Sequence, residues 1–322
     1  MSMAEHGMRD GSMSDGTAGN AAGYGFGGAP VVALERLPGA SQPGDVVFFG
    51  VDTELGRRFG HGNPGAATFV REHTVGMMPW TQVAAPGCHD IGIVTAADPG
   101  VAMRETTAIA TYLARLGRRP ALIGCDHTAS LAAVLGTATG GGPIPTYLYF
   151  DAHLDLGLHD PAPKAGTASG AGAGPMLHNG NFVESLRQTG SVGRVVNIGG
   201  RCWSRFVPVY QGLSNFTCIP GGPPQPSAAA MIERLSWLAG TRVYVSIDAD
   251  VLDPSAAPNV CCPEPFGLSV AELFSVCAWL GDTCTVIGGD LCEVVPSTTS
   301  LCSEQALMRC LHALYRPQTP VG

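Results

Sequence analysis

Residues 146–160 read TYLYFDAHLDLGLHD, so an apolar, aromatic run suited to a buried strand passes directly into Asp151, His153, Asp155, His159 and Asp160. Burying an unpaired charge is strongly unfavourable, so such a strand has to end at a polar crevice. The same kind of run recurs along the chain: DVVFFGV (45–51), PALIG (120–124), RVVNIGG (194–200), RVYVSI (242–247) and TVIGGD (285–290). Their β-branched and aromatic content predicts strands. Helix-length amphipathic segments lie between them, at 102–117, 227–240, 269–281 and 303–315. The last two open on Ser269 and Ser303, each with Glu soon after, as helix starts should. Alternation of this kind predicts one α/β domain, a mostly parallel sheet covered by helices on both faces. Sheets of that type bind ligands beyond the carboxyl ends of their strands.

The chain has 322 residues, 45% hydrophobic and only 14% charged, with a formal net charge of -8. It is long enough for a large buried core. With no Lys/Arg cluster and no run of eighteen apolar residues, neither nucleic acid nor a membrane is an expected partner. Eleven cysteines, an odd set without a CxxC pair, read as reduced thiols of a cytoplasmic protein. Residues 1–29, rich in Gly, Ser, Met and Ala, read as a disordered tail ahead of one folded domain over 30–322. A long Gly/Ala/Pro stretch at 157–181 predicts a loop walling the cleft.

In an extended chain, residues two apart share a side. Asp151, His153 and Asp155 therefore face one way, as do Asp248 and Asp250 in SIDADVLDP (246–254). In IGCDHTAS (123–130), His127 sits where a strand hands over to a helix. All three clusters fall at carboxyl ends of predicted strands. Two carboxylates about 4 Å apart repel by roughly 4 kcal/mol at an effective dielectric of about 20. Four in one cleft must take up protons or bind cations. Two divalent ions would balance Asp151, Asp155, Asp248 and Asp250, with neutral His127 and His153 as further ligands. A carboxylate and imidazole set without thiolate favours Mn2+, while Ni2+, Co2+ and catalytic Zn2+ accept the same donors.

GCDHT (124–128), DAHLD (151–155) and SIDADVLDPSAAP (246–258) resemble, in order and spacing, the ureohydrolase family of arginases, agmatinases and related guanidino hydrolases. GGDLCEVVP (288–296) is similar to a later family segment containing a glutamate, and RRFGHGNPGAATFVRE (57–72) to a Gly/Pro-rich segment near the start. The resemblance spans residues 45 to about 315. It implies an arginase-like three-layer fold and two Mn2+ per chain. One ion is expected on His127, Asp151, Asp155 and Asp248, the other on Asp151, His153, Asp248 and Asp250. Hydroxide shared by the ions would attack a guanidinium carbon, with Asp155, His178 and Glu293 as catalytic residues. Glu293 would receive the guanidinium, and His178 would pass a proton to the departing amine. A homo-oligomer, trimer or hexamer, is also implied.

The substrate is a small guanidino compound: agmatine, arginine or a guanidino acid. His159, Lys164, Asn179 and Glu293 are the expected contacts, and Arg201 and Trp203 follow another strand end. The loop HDPAPKAGTASGAGAGPMLHNGN (159–181) departs from the arginase pattern, so arginine is not specified. A formimidoylglutamase-type hydrolase and a silent metal-binding member of the fold are the alternatives. Asp126 is expected to orient the chain around His127, and Asp253 to hold the turn before Pro254.

Overall fold

The computed structural model describes residues 13–14, 23–60, 62–77, 87–158, 176–202, 210–297 and 302–315. Its strands are β1 (Met13–Ser14), β2 (Val46–Val51), β3 (Cys88–Val94), β4 (Arg119–Ile123), β5 (Ile144–Phe150), β6 (Val192–Ile198), β7 (Phe216–Ile219), β8 (Arg242–Asp248) and β9 (Thr285–Cys292). They form one sheet in the order β1-β3-β2-β4-β9-β8-β5-β6-β7. Every pairing is parallel except the short antiparallel edge β1–β3. All six predicted strands are present. β3 and β7 were not anticipated: β3 opens Cys-His-Asp and carries Gly92 at φ 98°, so its alternation is broken.

The helices are α1 (Leu37–Ala40), α2 (Ala66–Thr74), α3 (Pro99–Arg115), α4 (Thr128–Gly141), α5 (Phe182–Gln188), α6 (Ala228–Leu235), α7 (Val270–Thr283) and α8 (Cys302–Ala313). The pleat sends alternate strand residues to opposite faces. Tyr147, Tyr149 and Tyr244 pack with α3, α4 and α5, whereas Leu148, Phe150, Val245 and Ile247 pack with α2, α6, α7 and α8. The expected three-layer α/β/α arrangement follows. Local signals start the helices: Asp98 caps α3 by accepting from the Val101 amide, and Ser269 with Glu272 forms a capping box on α7. Ser303 departs from its expected cap role. It lies inside α8, and its hydroxyl donates to the Ala256 carbonyl.

The glycines of α4 serve helix packing. A Cβ on Gly136 or Gly140 would lie 2.4 Å from the carbonyl of Thr107 or Thr111, so only glycine lets α3 and α4 approach this closely. The segment expected to be a wholly disordered tail also needs correction. Its residues 23–29 are part of the domain, with Phe26 fully buried and its amide donating to Asp90 at 2.8 Å.

Candidate active site

β4, β9, β8 and β5 lie side by side, and the segments at their carboxyl ends supply His127, Asp151, His153, Asp155, Asp248, Asp250 and Glu293. Register sets the groups against one another. Phe150 of β5 pairs with Ile247 of β8, which brings Asp151 beside Asp248, and Asp248 pairs with Cys292 of β9, one residue before Glu293.

His127 and His153 each face a group of carboxylates. His127 Nδ1 lies 3.1 Å from Asp151 Oδ2, 3.4 Å from Asp155 Oδ2 and 3.0 Å from Asp248 Oδ2. His153 Nδ1 lies 3.4 Å from Asp151 Oδ1 and 3.0 Å from Asp250 Oδ2. Two groups could therefore hold ions, His127 with Asp151 and Asp248, and His153 with Asp151 and Asp250. Asp155 borders the first group through His127. All six residues expected as ligands are thus brought together.

The donors fit that occupancy. His127 Nδ1 and Asp151 Oδ2 are buried and make no hydrogen bond, although buried polar atoms ordinarily find a partner. The rest of the array is already anchored. His127 Nε2 lies 2.9 Å from Ser246 Oγ, which donates to Asp290 at 2.5 Å, as does Ser130 Oγ at 2.8 Å. This chain turns Nδ1 toward the carboxylates. The Ala152 amide donates to Asp250 and the Asp250 amide to Asp248.

Electrostatics agree with the charge count. Burial, then Asp250 and Asp151, pushes Asp248 well above the usual carboxylate range. Burial and Asp151 raise Asp155 to about 7. Burial also acts on Asp151, but the His127 and His153 imidazoles that face it hold it below its ordinary value. Both imidazoles are driven well above their ordinary value by the surrounding aspartates, against the effect of burial. Without cations the array balances its charge with protons. Cys202 and Cys262 also line the cleft, where burial raises both thiols to about 12, and neither joins the two ligand groups.

Asp155 and Glu293 adopt φ of 49° and 65°, a left-handed conformation uncommon for residues other than glycine. Strain of this kind concentrates where side-chain placement matters. Glu293 is buried and lines the cleft; Oε1 accepts from the His127 amide at 2.8 Å, and Oε2 has no hydrogen-bond partner. Burial, then the Asp126 charge, raises its carboxyl to about 8.

The cleft of about 340 Å³ is walled by Phe59, Leu156, Leu158, Asn179 and Glu264 around the charged floor. Asn179, expected to touch substrate, spends its amide on the protein: Oδ1 accepts from the Arg58 and Phe59 amides, and Nδ2 donates to Glu293 at 3.4 Å. Arg201 is likewise a strut, with its guanidinium donating to the carbonyls of Asp250, Glu264 and Pro265. His178 is buried beside Phe59, its Nε2 2.8 Å from Arg58 Nη1. Asp126 accepts from the Leu55 and Thr128 amides, and Asp253 from Ser255, as expected of organising residues. His159, Lys164 and Trp203 lie outside the described residues.

Sequence reasoning missed Ser246, Asp290, Arg58, Phe59 and Glu264. A signal existed for Ser246, which lies two residues before Asp248 on the same face of β8.

The chain is similar to known proteins. An agmatinase of Chromobacterium violaceum is 29% identical over 183 residues, 56% of this chain and 52% of that protein. The alignment thus spans about half of that relative's length. A formimidoylglutamase of Nocardia farcinica is 26% identical over 275 residues, covering 82% of this chain and 83% of the relative. The solved proclavaminate amidino hydrolase of Streptomyces clavuligerus superposes with a TM-score of 0.72 at 21% identity, over 91% of this chain and 95% of that one. The Arginase family model matches residues 44–311, which takes in every residue of the cleft, and the chain belongs to the arginase family.

Proposed function

We propose that the chain hydrolyses the guanidino group of a small guanidino compound to urea and an amine, using two divalent ions, Mn2+ by preference. The convergence of His127, His153 and four aspartates with unpartnered buried atoms, His127 Nδ1 and Asp151 Oδ2, carries the reading. Asp151 and Asp248 would be shared between the ions, His127 and Asp155 would complete one site, and His153 and Asp250 the other. Mixed carboxylate and imidazole donors without thiolate suit Mn2+.

A guanidinium is resonance-stabilised and a poor electrophile, and paired ions, when bound, supply an activated water and template its attack. The chain's own residues do the rest. Glu293 Oε2, buried and unpaired, accepts the guanidinium N–H groups and sets the carbon over the aspartates. Asp155 Oδ2 takes the proton that the attacking water sheds. His178 delivers a proton to the departing nitrogen, which leaves as an amine. Phe59, Leu156 and Leu158 exclude bulk water from the substrate's methylenes.

Metal analysis together with a panel of agmatine, arginine, guanidinobutyrate and guanidinopropionate tests the reading. Two ions per chain and urea release are expected; loss of either contradicts it. The 82% coverage by the Nocardia farcinica relative favours a second reading, formimidoylglutamase-type hydrolysis. A formimidoyl carbon carries hydrogen where a guanidino carbon carries nitrogen, so formamide would replace urea. Assembly as a homo-oligomer belongs to the proposal through family membership. So does a cytoplasmic location, through the free thiols of the described cysteines.

A further inference from the structure

Arg201 follows β6 and joins the segments that make up the His153 side of the array. Its amide donates to the carbonyl of Ala152 at 3.0 Å, between Asp151 and His153. Its Nη2 donates at 2.8 Å to each of two carbonyls, those of Asp250 and Glu264. Nη1 reaches the Val251 carbonyl at 3.2 Å and Nε the Pro265 carbonyl at 3.0 Å, so the guanidinium clamps the turn after β8 to the loop that carries Glu264.

The two residues gripped by Nη2 flank one imidazole. Asp250 Oδ2 lies 3.0 Å from His153 Nδ1, and Glu264 Oε1 lies 3.7 Å from Nε2 on the other edge of the ring. A carboxylate behind a ligating histidine fixes the ring's tautomer and orientation. His153 depends on such support, because its side chain is 24% exposed. His127 is sealed in and is held by other means, its ring by Ser246 and its amide by Glu293. A guanidinium suits the clamp because its N–H groups are fixed in one plane, whereas an ammonium donates from a single point.

Resting on the two-ion reading, we infer that Arg201 is a positioning residue for the ion assigned to His153 and Asp250, and that the ion assigned to His127 does not depend on it. Arg201 acts through Asp250 and Glu264, which its side chain holds on either side of the imidazole. Losing support of this kind lowers metal affinity about 10- to 100-fold.

Titration of chelator-treated protein with Mn2+, read by bound metal and by electron paramagnetic resonance, tests the inference. The wild-type protein should bind two ions and give the spectrum of a coupled Mn2+ pair. Arg201→Met keeps the aliphatic stem and removes the donors. It should bind one ion about 10- to 100-fold more weakly, hold the other at wild-type affinity, and give the spectrum of isolated Mn2+ at concentrations that fill both sites of the wild-type protein. Arg201→Lys should recover part of the loss. His153→Ala removes a ligand of the same ion, so adding Arg201→Met to it should weaken binding no further. Both ions retained at wild-type affinity, or both weakened alike, overturns this inference alone. Where Arg201→Met does not fold, the Arg201→Lys titration decides by the same two criteria. A wild-type protein that fails to bind two ions overturns the inference together with the reading beneath it.

Discussion

The backbone amide of His127 donates to Glu293 Oε1 at 2.8 Å, so the carboxylate that faces the cleft is held by the same residue whose imidazole faces the aspartates. Substrate placement and ion placement are thereby tied through one peptide unit. Glu293→Gln keeps an acceptor for that amide and removes the charge. The expected outcome is a fall in kcat/KM of about 100-fold or more, as for loss of a charge-assisted bidentate contact, with two ions still bound. Steady-state kinetics beside metal analysis decide it. Unchanged kinetics would remove Glu293 from substrate binding.

Asp248 belongs to the His127 group, 3.0 Å from His127 Nδ1, and accepts from the amide of Asp250, a member of the other group, at 2.8 Å. Asp248→Ala removes the carboxylate proposed to be shared, so both ions and all turnover should be lost together. A variant that retains two ions and activity would contradict the bridging role.

Ser246 lies behind the imidazole, between His127 Nε2 and Asp290. Ser246→Ala leaves every proposed ligand in place but frees the ring to rotate. Support of this kind is worth about 10- to 100-fold in metal affinity. Competition titration with a chelator should show that loss, and activity should return at raised Mn2+. No change in affinity would make the serine a packing residue.

The convergence of Asp151, His153, Asp155, Asp248 and Asp250 was legible in the sequence because both clusters follow the carboxyl ends of readable strands. The extended two-residue period does not persist there: Asp155 has a φ of 49° and Asp250 lies in a short 3-10 turn. Sheet order was not legible: nothing local tells β9 to enter between β4 and β8, and that insertion is what delivers Glu293. β3 hid because its buried Asp90 reads as polar until Arg71 and the Phe26 amide are seen to satisfy it. α4 was not among the predicted helices, and the reason for its glycines is the neighbouring α3. Arg58 and His178 lie 120 positions apart in loops, where no periodicity announces a contact.

Metal and pH should be linked. Asp155, raised to about 7, Glu293, raised to about 8, and Asp248, well above its ordinary value, bind protons more tightly folded than unfolded. For each, metal-free stability falls as pH climbs from the unfolded value near 4 to the folded one. The raised His127 and His153 act in the same sense: their contribution is complete below about 6.5 and is lost as pH passes their folded values. Asp151 and Glu264, whose values are lowered, run the other way. Denaturant midpoints of chelator-treated protein should therefore drop between about pH 5 and about pH 8. Mn2+ should stabilise more at the higher pH, where fewer protons must be displaced. A flat or rising metal-free profile would show that protons are not what balances the array.

Phe26 fastens residues 23–29 to the rest of the fold. Its ring is fully buried beneath the Arg71 guanidinium at 5.9 Å, and its amide donates to the Asp90 oxygen that Arg71 Nε also reaches at 2.8 Å. Gly25 permits the approach, because a Cβ there would lie 1.6 Å from that oxygen. Removing a buried phenyl ring costs about 3–5 kcal/mol, whereas a residue in a disordered tail costs almost nothing. Phe26→Ala should lower the denaturant midpoint by the larger amount, at a site beside β3, which β2, β4, β9 and β8 separate from β5 and its aspartates. Metal content and KM should follow only the folded fraction, which separates a structural clamp from any part in the chemistry. A midpoint that does not move would return residues 23–29 to the tail.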